Sequence, residues 1–233
     1  MISKKNKHKL IAVLEHKNYQ EVNDALFVFP DDIVMLSNIL KISNRYGITV
    51  IPIGFGSSFK ERSFSDRDIV FLSSQNLKNV EIDKNNSFAV LQAGCDWKKV
   101  FEGLAKEGMF FPLDTSELKT KRSAGGIFSS LKPDSAASNY FTGIEFLTSD
   151  GTLVKYGSMT LKNVAGYDLV KFMTGTFGCF GFVTSLTLRM LRTNKSFFRF
   201  EDVNDVCGKR TDLGEKGIYG SLKSILDPNS VFY

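Results

Sequence analysis

Cysteine is scarce and dispersed in this 233-residue chain: Cys95, Cys179 and Cys207 are the only three. With no Cys-x-x-Cys pair and no ligand spacing, they exclude a zinc site and iron–sulfur ligation by this chain alone. An odd set of distant cysteines reads most simply as three free thiols in a reducing compartment. Long apolar runs are lacking too. None approaches the roughly 20 residues that span a bilayer. The basic N-terminal stretch "MISKKNKHKLIAVLEHKNYQ" holds an apolar segment of only about four residues, where a secretory leader needs roughly 7–15. The expectation is a cytoplasmic protein. The net charge is +5, but the lysines are scattered and no helix carries a basic stripe interleaved with aromatics, so no nucleic-acid partner is expected. What is present is an ordinary globular balance, 42% apolar and 24% charged, in a chain long enough to bury a core. The 21 phenylalanines predict that this core is Phe-rich.

Periodicity divides the chain into two α/β regions. In the first, residues 25–83, "ALFVFP" reads as a strand stopped by Pro30. A helix follows with Asp31 or Asp32 as N-cap, Ile33, Leu36, Ile39 and Leu40 on one face, and Gly47 past its end. "ITVIPIG", "DIVFLS" and "NVEID" are further strands, and the strand–helix–strand order suggests parallel strands with a crossover helix. The second region, residues 84–192, opens with the strand "SFAVLQAG". Its helix runs from an Asp96 cap to Gly108, with Trp97, Val100, Phe101 and Leu104 on its apolar face. "FTGIEFLTSDGTLVKYG" has the hairpin signature around Asp150-Gly151, and "CFGFVTSLTLRML" reads as a long strand. Residues 1–24 form an N-terminal extension. After Arg192 the chain turns polar and ends on "SLKSILDPNSVFY". The fold class is α+β with two unequal lobes.

Three glycine-rich turns carry the chemistry. In "VIPIGFGSSFK" an apolar strand runs into Gly54-x-Gly56-Ser57-Ser58, which frees consecutive backbone N–H groups for an anion such as a pyrophosphate. It is neither a P-loop, since no Gly-Lys-Ser/Thr follows, nor a Rossmann fingerprint, since no helix opens there. The second turn is "KRSAGGIFSS" with Gly125-Gly126. The third is "MTGTFGCFGFV", with Gly175, Gly178 and Gly181 leading into the last long strand. Each is also readable as a simple tight turn; together they imply one ligand long enough to touch all three.

These blocks, with "LQAGCDWKKVFEGLAKEGMFFPLD", "IEFLTSDGTLVKYG", "LKNVAGYDLVKFMTGTFG" and "LKSILDPNSVF" in order, resemble the FAD-binding domain of the vanillyl-alcohol oxidase/p-cresol methylhydroxylase flavoproteins. Within that group "KNVAGYDLVKFMTGTFG" is most similar to the FAD-binding subunit of bacterial glycolate oxidase. The resemblance implies a p-cresol methylhydroxylase-type domain with a small α/β lobe and a larger mixed-sheet lobe. It further implies that Pro52, Ile53, Gly54, Phe55, Gly56, Ser57 and Ser58 hold the FAD pyrophosphate. Ser123, Ala124, Gly125 and Gly126 would lie against the phosphates and the isoalloxazine edge, with Asp114, Thr115, Ser130 and Leu131 nearby. Gly181 and Val183 would face the adenine side. Tyr167 and Asp168 would brace the domain or touch the flavin.

The departures from the family pattern are as informative. The family's loop usually reads Pro-Arg-Gly-Gly-Gly-Thr; here Ile53 stands for the arginine and Phe55 for the central glycine, so Phe55 must take a negative φ or strain the loop. His8 and His16 are the only histidines and precede the domain. That leaves no donor for a histidyl–flavin link and none of the metal-binding histidines with which related dehydrogenases orient a hydroxy acid. FAD is therefore expected to be noncovalent, and no catalytic base or metal ligand can be nominated. Cys95 reads as a buried structural residue. The polar stretch 193–220 is too short for a substrate cap with its own core, leaving at most a remnant of one. The reading that follows is an FAD-binding electron-transfer subunit of a 2-hydroxy-acid oxidoreductase of the glycolate or lactate type. Its expected partners are a catalytic FAD subunit and an iron–sulfur subunit, through which any membrane association would be made. The alternatives are a cofactor-free subunit that keeps the fold, and a stand-alone small flavoenzyme.

Overall fold

The computed structural model describes residues 2–14, 18–23, 25–57, 68–114, 120–157, 168–192, 200–207 and 218–233, with the side chains of 218–221 left aside. The N-terminal residues contribute to the first lobe. Helix α1 (Lys4–Ile11) is capped by the Ser3 hydroxyl and sends Leu10, fully buried, into the same core as α2. Strands β1 (Tyr19–Val22) and β2 (Ala25–Val28) pair antiparallel. Helix α2 (Ile33–Tyr46) starts where Asp32 accepts the Met35 amide and stops where Gly47 turns left-handed at φ 64°, which a residue without Cβ does at no steric cost. Leu36, Ile39 and Leu40, spaced to share one helix face, are all fully buried. Strands β3 (Thr49–Ile53) and β4 (Ile69–Ser73) complete a sheet of order β1-β2-β4-β3. The β2–α2–β3 crossover thus joins two parallel strands that are not neighbours, because β4 inserts between them and pairs parallel with both. Flanked on both sides, β4 is buried at all five positions, which is why it reads as an unbroken apolar run.

The larger lobe is built on β5 (Val80–Asp83), β6 (Phe88–Gln92), β8 (Phe141–Leu147), β9 (Leu153–Gly157) and β10 (Phe182–Arg189), with the two-residue strand β7 (Leu113–Asp114) outside this sheet. Its order, β5-β6-β10-β8-β9, is antiparallel throughout; the mixture of pairings sits in the smaller sheet, where the crossover helix requires it. Helix α3 (Trp97–Lys106) starts at the Asp96 cap and feeds an aromatic cluster. The Trp97 ring lies 4.3 Å from Phe101, 5.3 Å from Phe111 and 6.2 Å from Phe141, the Phe-rich core expected from composition. Helix α4 (Ala124–Ser130), a 3₁₀ turn (Ala136–Tyr140) and α5 (Leu169–Met173) cover the sheet. Asp168 caps α5 by accepting the Lys171 amide, a structural use of that residue. Tyr167 lies outside the described residues.

Part of the polar stretch after Arg192 is stitched onto the larger lobe. Strand β11 (Glu201–Asp202) pairs parallel with β7, and the Glu201 carboxylate accepts the Ala136 and Ala137 amides at the start of the 3₁₀ turn. Helix α6 (Val203–Val206) buries Val203 and Val206 in the main core. After α7 (Ile218–Leu226) the chain returns to the first lobe: Phe232 bridges Val50 of β3, and Val231 and Phe232 are buried in its core. Asp227 pins this return. Its fully buried carboxylate accepts the amides of Val231 and Phe232 and pairs with Lys223 at 2.8 Å. Removing it leaves two buried amides unmatched and the Lys223 ammonium without its counter-charge, so Asp227→Ala is expected to cost about 3 kcal/mol and Asp227→Asn less; urea unfolding of the two variants checks this.

Candidate functional site: a cleft among three glycine turns

The strand β3 ends for a local reason. The Ile53 carbonyl still accepts the Ser74 amide, but the next carbonyl, of Gly54, is taken by the Ser73 hydroxyl at 2.8 Å. Pairing with β4 stops there and the chain turns out of the sheet. Phe55 keeps a negative φ, and the left-handed step falls on Gly56 at φ +77°, so the loop is not strained by its phenylalanine. The amides of Phe55 and Gly56 donate to no described residue. They are the free donors that an anion requires.

The second turn is organised differently. Ser123 is buried, and its hydroxyl accepts the Gly126 amide as the cap of α4. The Ala124 and Gly125 amides donate to the Cys95 and Ala93 carbonyls at the end of β6. These amides are therefore committed inside the protein, and what the block offers a ligand is close approach of backbone. A Cβ on Gly125 would stand 2.9 Å from the Ala93 Cβ. In the third turn Gly175, Phe177 and Gly178 all have positive φ, at 75°, 53° and 78°. A bulky residue in that region is uncommon and is held by its surroundings; here the Phe177 amide donates to the Ser129 carbonyl at 2.9 Å.

The three turns meet. A Cβ on Gly54 would lie 2.0 Å from the Ser123 Oγ, and one on Gly178 2.9 Å from the Pro52 ring. Between them lies a cleft open to solvent. Pro52, Ile53 and Gly54 line it from the first turn, Gly125, Gly126 and Ser129 from the second, and Phe177, Gly178, Gly181, Phe182 and Val183 from the third. Ser74 and Ala93, at the ends of β4 and β6, close its floor. The β10–β8 register shifts just after Val183, a bulge that re-aims the strand beside the cleft.

Of the residues singled out from the sequence, Phe55, Gly56 and Ser57 continue from the lining into the free loop. Ala124 is fully buried beneath it. Ser130, the last residue of α4, and Leu131, its C-cap, are buried and not among the lining, and the Ser130 hydroxyl donates to Gly126 O and accepts from Arg122. Asp114 is exposed on β7, away from the lining. Ser58 and Thr115 lie outside the described residues. Sequence reasoning missed Ser74, Ala93, Ser129, Phe177 and Phe182 as lining. Phe177 and Phe182 sat inside the quoted glycine run, Ser129 inside the second block and Ala93 inside the "LQAGCDW" block, and Ser74 alone lies outside every quoted block.

The site is electrically plain. No lining residue is ionisable, and among the described residues no group of three His, Cys, Asp or Glu side chains could hold a metal. Cys95, beneath the second turn, is buried, which pushes its thiol from 9.0 up to about 11. A flat, largely apolar crevice built by missing Cβ atoms, with free amides at its mouth, fits a molecule that joins an aromatic ring system to an anionic group. This is the donor set expected of a nucleotide-cofactor domain.

Residues 25–157 match the family model described as the FAD binding domain, more than half of the chain, and the protein belongs to that family. The cofactor is FAD. Among curated relatives, the chain is 29% identical over 211 residues to the mitochondrial D-lactate dehydrogenase [cytochrome] of Arabidopsis thaliana, covering 86% of this chain and 37% of that protein. It is 26% identical over 255 residues to glycolate oxidase subunit GlcD of Bacillus subtilis (strain 168), covering 97% of this chain and 54% of that one. The chain thus spans about a third to a half of the length of these relatives. Among solved structures, alkyldihydroxyacetonephosphate synthase superposes with a TM-score of 0.67 over 82% of this chain and 41% of its own, at 15% identity; at that identity the likeness is one of fold. Among the described residues no helix is long and apolar enough to cross a membrane.

Two expectations follow from the packing. Gly54→Ala drives its methyl into Ser123, whose hydroxyl can swing away only by giving up the α4 cap; a loss of about 1–3 kcal/mol is expected, together with loss of bound flavin. Adding Ser123→Gly, which as a cap costs only a few tenths of a kcal/mol, should restore both, as read by urea unfolding and flavin absorbance. Cys95 should resist thiol reagents at pH 8 until the protein unfolds. Because folding favours its protonated form, stability is expected to be intact below the unfolded thiol value near 9 and to fall as pH rises through about 11.

Proposed function

We propose that this chain is the FAD-carrying, electron-transferring part of a 2-hydroxy-acid oxidoreductase of the glycolate or lactate type. The single observation that supports this reading is the lining of the cleft, in which no described side chain can take up or deliver a proton. Oxidising a hydroxy acid requires a base within hydrogen-bond reach of the substrate hydroxyl, and the described residues supply none there. FAD, held noncovalently, supplies the redox chemistry when bound, accepting and releasing electrons. The chain's own residues bind and orient it. The free amides of Phe55 and Gly56 take the anionic part, Gly125 and Gly126 let the backbone approach a flat ring, and Phe177 and Val183 wall the cleft against water. Pro52 and Gly178, packed on each other, hold two of the walls at a fixed spacing.

On this reading the substrate-oxidising groups and the onward electron acceptor come from partners, a catalytic flavin subunit and an iron–sulfur subunit, in a cytoplasmic assembly. The names of the relatives, a glycolate oxidase subunit and several D-lactate dehydrogenases, supply the substrate class. The test uses the flavin-loaded chain by itself. Glycolate or D-lactate is expected to leave the flavin absorbance unchanged, whereas chemically reduced protein should be reoxidised readily by a one-electron acceptor. Bleaching of the flavin by either hydroxy acid alone would overturn the proposal in favour of a stand-alone enzyme. Protein that takes up no FAD would overturn it in favour of a structural subunit.

A further inference from the structure

We propose that Lys121, seated on the ring of Phe55, is the cation that holds the diphosphate of FAD, and that Phe55 is retained in the loop as its seat. The proposal rests on the reading of the cleft as the FAD site.

The loop Pro52-Ile53-Gly54-Phe55-Gly56-Ser57 carries no charged side chain. Its free amides provide dipoles, but a diphosphate taken out of water also requires a full positive charge nearby. Among the described residues, Lys121 brings that charge to the loop. Its ammonium stands 4.2 Å from the centroid of the Phe55 ring, within the range where the ring's quadrupole attracts a cation. On another side the Asp96 carboxylate lies 3.7 Å away. That distance orients the ammonium electrostatically but is too long for a hydrogen bond, so the donors of Lys121 stay available. The Lys121 side chain is 55% exposed and accessible to an incoming anion.

The backbone beneath it is fixed. The Arg122 carbonyl accepts the Trp97 amide at 3.0 Å, Ser123 bridges Asp96, and the Ser123 hydroxyl abuts Gly54. Lys121 is therefore held against the loop by the backbone that follows it. Neighbouring Arg122 is not the candidate, because its guanidinium already donates to the Ser130 hydroxyl at 2.6 Å and to the Gly126 carbonyl. Phe55, which stands where the family pattern has glycine, thereby gains a purpose: it seats a positive charge beside residues 52–57, which carry none.

The test compares FAD with riboflavin, which has the same ring and no phosphate, by quenching of flavin fluorescence on titration into the full-length apoprotein. Lys121→Met is expected to weaken FAD binding about tenfold and to flatten its dependence on ionic strength. Riboflavin binding and the thermal midpoint of the apoprotein should not change. Phe55→Leu should give a smaller loss confined to FAD, and Lys121→Arg should retain most of the affinity. FAD binding by Lys121→Met that matches the wild type would overturn the proposal, as would an equal loss for riboflavin. Failure of the wild type to bind FAD at all would instead overturn the cofactor reading on which it rests.

Discussion

Close approach of backbone at positions without a Cβ is the constraint on which this molecule depends. Gly54 lies on Ser123, Gly125 on Ala93, Gly178 on Pro52, and Gly181 under the Phe146 ring, where a Cβ would stand 2.6 Å from its edge. Each contact joins segments far apart in sequence, and together they set the separation of the cleft walls. The cleft is thus a consequence of packing: where four side chains are missing, strands and turns draw together until only a flat opening remains. Protein interiors tolerate little change of volume at such contacts, so the geometry is fixed before any ligand arrives.

The same turns are tied into the two cores from behind. Lys223 donates to the Cys179 carbonyl, in the third glycine turn, and to the Phe232 carbonyl in the C-terminal stretch that runs beside β3. One ammonium, neutralised by buried Asp227, therefore connects the C-terminal stretch that bridges β3 with the segment that forms the third turn. Leu147 and Phe182, from the larger sheet, complete the core of the smaller lobe, so the two lobes share apolar burial where the cleft forms. A ligand lying across the cleft would meet a surface held from both sides.

Much of the fold was legible because its signals are local. Asp32 and Gly47 mark the ends of α2, Asp96 the start of α3, and Asp150-Gly151 the turn of the β8–β9 hairpin, each through capping or turn chemistry that acts within a few residues. The three glycine turns were legible for the same reason. What they do with their amides was not. The second turn reads as suited to close approach by a ligand; that two of its amides are taken by the Cys95 and Ala93 carbonyls, just past β6, only folding reveals. Phe55 looked like a liability for the loop, and its ring turns out to sit beneath an ammonium from beyond α3.

The sequence by itself determined an α+β chain with a Phe-rich core and the three places where the chain turns at glycine, because propensity, capping and glycine's conformational freedom are properties of short segments; the family of FAD-binding domains came from the resemblance of its ordered blocks. Tertiary structure alone decided that β4 separates the two strands joined by α2, that Ser74, Ala93 and Ser129 floor and wall the cleft, and which amides remain free at its mouth. Those outcomes depend on which distant segments come into register, and register is set by burial summed over whole sheets rather than by any one residue.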